Sequence, residues 1–117
     1  MNRFELYEYI YDTYRVRPDY PWDKYSDYAV FRHHNNKKWF AVIMNLEFSK
    51  LGLNTTGRVD VVNLKSDPIL IGSLRCEKGI FPAYHMNKNH WISVLLDEAA
   101  DCDKIKWLID LSFSMTE

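Results

Sequence analysis

Apolar residues recur along this chain at two spacings, and the switches between them outline a fold. Between residues 2 and 15, Phe4, Tyr7, Ile10, Tyr11 and Tyr14 fall at helical spacing, while Glu5, Glu8 and Asp12 gather on another face. That pattern predicts an amphipathic helix, with Asn2 and Glu5 placed as a capping box at its start. Residues 16–27 break the period with Pro18, Pro21 and several Asp, Tyr and Ser. They predict a long loop, pinned to the core by Trp22.

Tyr28 to His33 and Lys37 to Leu46 predict a hairpin, turned at Asn35 and Asn36, which tolerate positive φ. A third strand follows from about Gly57 to Lys65. Asp67 then caps a helix whose first residue is Pro68. Its predicted span is 67–77, with Gly79 as the stop. Residues 80–90 predict a short strand or an ordered loop. His90 to Asp97 predicts a strand with Ile92, Val94 and Leu96 on one face. The last helix, over 102–114, begins at Asp101 or Asp103 and buries Ile105, Leu108, Ile109 and Phe113. Helices at both ends of a strand-rich middle predict a single α+β domain over 1–117: an antiparallel sheet with helices packed on one face.

Composition changes this picture in two places. Aromatic residues make up 15% of the 117 residues, enough to build the core and leave some over for a recognition surface. The net charge of −1 supplies no global attraction to nucleic acid or to an anionic membrane, so any such contact must come from a local patch. Cys76 and Cys102 match no metal or redox spacing and predict two reduced thiols. The first residues carry acids and no apolar run, and no apolar stretch is long enough for a membrane span. Both facts predict a soluble, cytoplasmic protein.

Two segments concentrate chemistry. The segment FRHHNNKKWF (31–40) places Arg32, Lys37 and Lys38 at a hairpin tip with no acid, and His33 and His34 beside them. A protruding basic hairpin suits a phosphate backbone, so these five residues are candidate DNA contacts. The segment PAYHMNKNHW (82–91) offers Tyr84, His85, Asn87, Lys88, His90 and Trp91 as candidates for binding a small anionic ligand, with Trp91 able to stack on a ring. Lys88, His85 and His90 would also serve DNA as a second basic edge. The blander expectation for the same residues is a turn leading into the strand. His85 and His90 are five apart, which is not the spacing of a helical zinc pair, so neither a metal nor a cofactor is expected. Glu5, Glu8 and Asp12 read as a solvated face. No nucleophile motif or phosphate-cradling glycine loop occurs.

Three stretches taken together, VNLKSDP (62–68), PAYHMNKNHWISVLLD (82–97) and LIDLS (108–112), resemble the MmcQ/YjbR family over nearly the whole chain. The resemblance implies a two-layer sandwich similar to the CyaY (frataxin) fold. It brings no enzymatic activity. It implies a "double wing" arrangement like that of DNA-binding proteins, in which the basic hairpin would be one wing. Three functions therefore stay open: a DNA-binding module, a small-anion or metabolite binder using His85 to Trp91, and a protein-interaction adaptor using exposed aromatics such as Tyr9, Tyr20 and Tyr25.

Overall fold

Helix α1 spans Arg3–Tyr14 and starts as its sequence predicts. Asn2 Oδ1 accepts from the Glu5 N–H at 2.9 Å, and the Glu5 carboxylate accepts from the Asn2 N–H at 3.0 Å. The capping box is complete. The buried stripe is turned toward Leu6 and Ile10, with Tyr7 and Tyr14 packed beside them. Phe4, expected in that stripe, is 74% exposed. The computed structural model describes residues 1–97 and 99–117.

The chain continues through β1 (Ala29–Arg32), β2 (Trp39–Glu47), a short 3-10 turn (Phe48–Leu51), β3 (Arg58–Lys65), α2 (Pro68–Leu74), β4 (Ile80–Pro82), β5 (Trp91–Leu95) and α3 (Cys102–Thr116). The five strands form one antiparallel sheet in the order β1-β2-β3-β5-β4. Asp67 Oδ1 accepts from the Ile69 N–H and Asp101 from the Lys104 N–H, so both predicted caps are made. Helix α2 is shorter than expected and ends at Leu74. Gly79 serves the entry to β4 instead of the helix: its φ is +83°, and a Cβ there would lie 3.0 Å from the Ala100 nitrogen.

All three helices cover the same face. Leu6 and Ile10 of α1, Ile71 and Leu74 of α2, and Ile105, Leu108 and Ile109 of α3 share a core with Phe31, Ile43, Val62 and Leu64. Ile92, Val94 and Leu96 join it as their alternation predicts. The other face is apolar as well. Val30, Val42, Met44, Val61 and Leu95 form a second cluster, roofed by Trp22 of the 15–28 loop and by Tyr84 and Met86 of the 83–90 loop. The first of these loops also protects the sheet edge, because Asp19 exchanges both backbone hydrogen bonds with Val30.

One irregularity sets up both candidate sites. Phe31 pairs with Ala41 and Arg32 with Trp39, which leaves Phe40 unopposed in a β-bulge. Phe40 and Ala41 consequently both enter the helix-side core, while Trp39 turns to the other face. The β2–β3 ladder stops at Ala41 and Leu64. Beyond it, the buried Ser112 hydroxyl of α3 takes over. It accepts from the Lys65 N–H at 2.9 Å and donates to the Phe40 carbonyl at 2.6 Å. A side chain thus satisfies two backbone groups that the bulge would otherwise orphan.

Candidate functional site

The hairpin tip closes through His33 N–H to the Lys38 carbonyl and Lys37 N–H to the His33 carbonyl. The left-handed residue is Lys37, at φ 62°, and neither asparagine adopts positive φ. The asparagines hold the tip by side chain instead: Asn36 Oδ1 accepts from the Lys38 N–H, and Asn36 Nδ2 donates to the Thr116 carbonyl.

Of the five candidate DNA contacts, His33 does not belong. It is only 4% exposed, packs between Phe40 and Phe113, and meets Thr116 Oγ1 at 2.7 Å. The Thr116 hydroxyl also lies 2.8 Å from the Ser112 carbonyl, so the neutral imidazole is tied through it to α3. Burial lowers the His33 pKa below its ordinary value near 6.5. The unfolded chain therefore takes up a proton that the folded one refuses. The stability contributed by neutral His33 is full above about pH 6.5 and is lost as pH falls. Thermal melts from pH 8 to pH 5 should show falling stability, and His33→Gln should flatten the profile across that window.

The other four candidates stay near the surface, and partners that sequence reasoning missed come to them. His34 Nε2 donates to the carbonyl of Arg15, joining the tip to the end of α1. Arg15 and Arg17 lie over the Tyr11 ring at 5.3 and 4.3 Å. Together with Arg32, Lys37 and His34 they line a groove of about 440 Å3. Asp19 is the one carboxylate in this lining, and it sits 3.1 Å from Arg32 Nε. Among the described residues, Arg15, Arg17, Lys37 and Lys38 have no carboxylate partner. The signal for Arg15 and Arg17 was weak in sequence, because they lie in a different segment from the hairpin.

The PAYHMNKNHW candidates divide. Asn87 is a turn residue: its carbonyl accepts from the N–H groups of His90 and Trp91, and its Oδ1 accepts from the Asn89 N–H. The Lys88 carbonyl accepts from the Arg75 guanidinium, and the His90 carbonyl accepts from the Ser66 N–H. Trp91 pairs with Lys65 in the sheet. The side chains of Lys88 and His90 are exposed. They stand at the same end of the sheet as the hairpin tip, separated from it by β3, roughly 10 Å at ordinary strand spacing.

Tyr84 and His85 go elsewhere. Their rings stack at 4.0 Å and 9°, and they line a cleft of about 250 Å3 on the sheet face away from the helices. Trp22, Tyr25, Tyr28 and Trp39 complete its walls. Arg32 lies 5.7 Å from the Trp39 ring, so this aromatic cleft and the basic groove share a border. Of the aromatics offered for protein contact, Tyr9 is not surplus. Its hydroxyl donates to Asp110 at 2.7 Å, and burial, together with that bond, raises its pKa to about 12. Tyr20 and Tyr25 are exposed.

Glu5, Glu8 and Asp12 line a shallow hollow with Lys106. Among the described residues, no group of three or more His, Cys, Asp or Glu is placed to hold a metal ion. Cys76 and Cys102 are free thiols, and no described helix is long and apolar enough to cross a membrane. A hollow of about 540 Å3 beside residues 53–58 is larger than either candidate cleft, but its charged residues Glu47 and Arg58 are paired with each other.

These features define an antiparallel α+β domain with a basic groove and an adjoining aromatic cleft. The YjbR family model matches residues 11–115, and the chain belongs to that family. It is 42% identical to Bacillus subtilis (strain 168) protein YyaQ, over all of this chain and 99% of that one. It is similar to the crystal structure of a Pseudomonas syringae protein, with 50% identity, full coverage of both chains and a TM-score of 0.98. A Deinococcus radiodurans protein with a DUF419 domain shares the fold at 21% identity, with a TM-score of 0.72 over 97% of this chain and 77% of that one.

Proposed function

We propose that this protein is a non-enzymatic DNA-binding module that grips duplex phosphates in the groove between the end of α1 and the β1–β2 hairpin. One observation carries the proposal. Among the described residues, the only non-glycine positive-φ positions are Arg15, Lys37 and His85. Two of these three line the basic groove. Histidine enters the left-handed region fairly readily, whereas arginine and lysine do so at a cost of about 1 kcal/mol or more each. Arg15 occupies the helix end where glycine is the common choice. Strain kept at two positions by the bulkiest cations marks a surface where the charge matters more than the backbone.

The hairpin would be one wing of a double-wing arrangement, with Lys88 and His90 as a second basic edge. Phosphate contacts position a protein on DNA without reading sequence, so this grip is weak, salt-labile and indifferent to sequence. Fluorescence anisotropy on a labelled duplex tests it. Lys37→Gly with Lys38→Ala should reduce the slope of log K against log salt by about 1.8, from roughly 0.9 per phosphate contact. An unchanged slope, or no binding at low salt, would sink the proposal.

A further inference from the structure

The aromatic cleft on the far face of the sheet is not needed for a grip on phosphates. We propose that it binds one planar heteroaromatic ring carrying a nearby negative charge, as the base of a nucleotide does. Trp22 meets Trp39 at 5.6 Å and 82°, and Tyr28 at 6.0 Å and 80°. Among the described residues neither Trp22 nor Trp39 has a stacked aromatic partner, whereas Tyr28 is stacked on Tyr25 at 4.7 Å. The stacked Tyr84–His85 pair forms another part of the lining, with His85 held at φ 56°. A volume of about 250 Å3 lies just below the usual range for drug-sized ligands and suits a single ring system.

The lining also includes Asn63, fully buried and held by hydrogen bonds. Its Nδ2 donates to the Tyr84 carbonyl at 2.9 Å, and its Oδ1 accepts from the Ser93 hydroxyl at 2.5 Å. The Ser93 oxygen in turn accepts from the Tyr84 N–H at 2.9 Å. This network uses one of the two amide N–H groups and one of the two oxygen lone pairs. With no exposed surface, Asn63 serves as a brace that fixes the Tyr84 wall of the cleft.

Charge at the rim selects the guest. Arg32 lies over Trp39, and Lys24 lies 5.6 Å from the Tyr25 ring. Arg32 is paired with Asp19, so among the described residues Lys24 is the one of these two cations without a carboxylate partner, and it favours a guest with an anionic tail. Exposed Asp23 and Asp27 belong to the same loop, so a cationic guest is included in the test.

The experiment follows the indole N–H signals of the 15N-labelled wild-type protein during separate titrations with adenosine 5′-monophosphate, a short single-stranded oligo(dA) and tetramethylammonium. The expected result is saturable movement of the Trp22 and Trp39 signals with a nucleotide probe, while Trp91 and Trp107 stay in place. Trp22→Leu should weaken that binding about fivefold or more, the lower end of base–aromatic stacking. Response to the mononucleotide supports a free nucleotide as the guest, and response to oligo(dA) alone supports a base within a strand. Movement of Trp22 and Trp39 with tetramethylammonium alone, or with none of the probes, overturns the proposal. The wild-type spectra decide the matter even if Trp22→Leu fails to fold. Duplex binding is read separately by its salt slope, so either site can fail without the other.

Discussion

Ser112→Ala is expected to lower stability by about 2–4 kcal/mol, because it strands a buried backbone donor and a buried acceptor at once. The Ser112 hydroxyl is the bridge between the Lys65 N–H and the Phe40 carbonyl. Both groups sit where the bulge ends the β2–β3 ladder, and alanine leaves too little room for an ordered water with several polar partners. For a domain of this size the loss corresponds to a fall in Tm of roughly 10–20 °C. Ser114 lies two residues on and is exposed, so Ser114→Ala should change stability by less than about 0.5 kcal/mol. Chemical denaturation of both variants beside the parent checks the contrast. A near-neutral Ser112→Ala would mean that the ladder closes without the hydroxyl.

The second large effect separates binding from stability. Arg15→Gly with Lys37→Gly removes two groove cations and also relieves two left-handed residues, at φ 57° and 62°. Stability should hold or rise, by up to about 1 kcal/mol at each site, since glycine adopts positive φ freely. Duplex affinity should fall roughly 10- to 100-fold at about 0.1 M salt, the contribution of two phosphate contacts by counterion release. A variant that is at least as stable as the parent and binds more weakly is the signature of strain retained for function. If affinity falls only in step with stability, the strain has no functional meaning.

How much of this was legible in the sequence differs between the fold and the sites. Local chemistry announced the elements. Asn2, Asp67 and Asp101 cap helices, and the alternation of Ile92, Val94 and Leu96 places β5 on the core. Several polar residues of the three family stretches turn out to be scaffold: Asn63 and Ser93 brace the 83–90 loop, Asp110 ties Tyr9 and Tyr14 of α1 to α3, and Ser112 closes the sheet. The groove was only half legible, because it joins residues 11–19 to residues 32–37, and contacts between segments leave no spacing signal. His33 misled for the same reason. Next to His34 it reads as a surface cation, but β1 ends at Arg32, and the next side chain turns back onto α3. The left-handed backbone of Arg15 and Lys37 was hidden because these residue types rarely adopt it.

If the groove rather than the general surface holds duplex DNA, the contact should map to a few adjacent residues. Backbone 1H–15N mapping of the wild-type protein with a short duplex at low salt tests it most directly. Progressive, salt-reversible shifts are expected at residues 15–17 and 33–38, with the acidic face of Glu5, Glu8 and Asp12 unmoved. Shifts centred on any other face, or none at low salt, would contradict it.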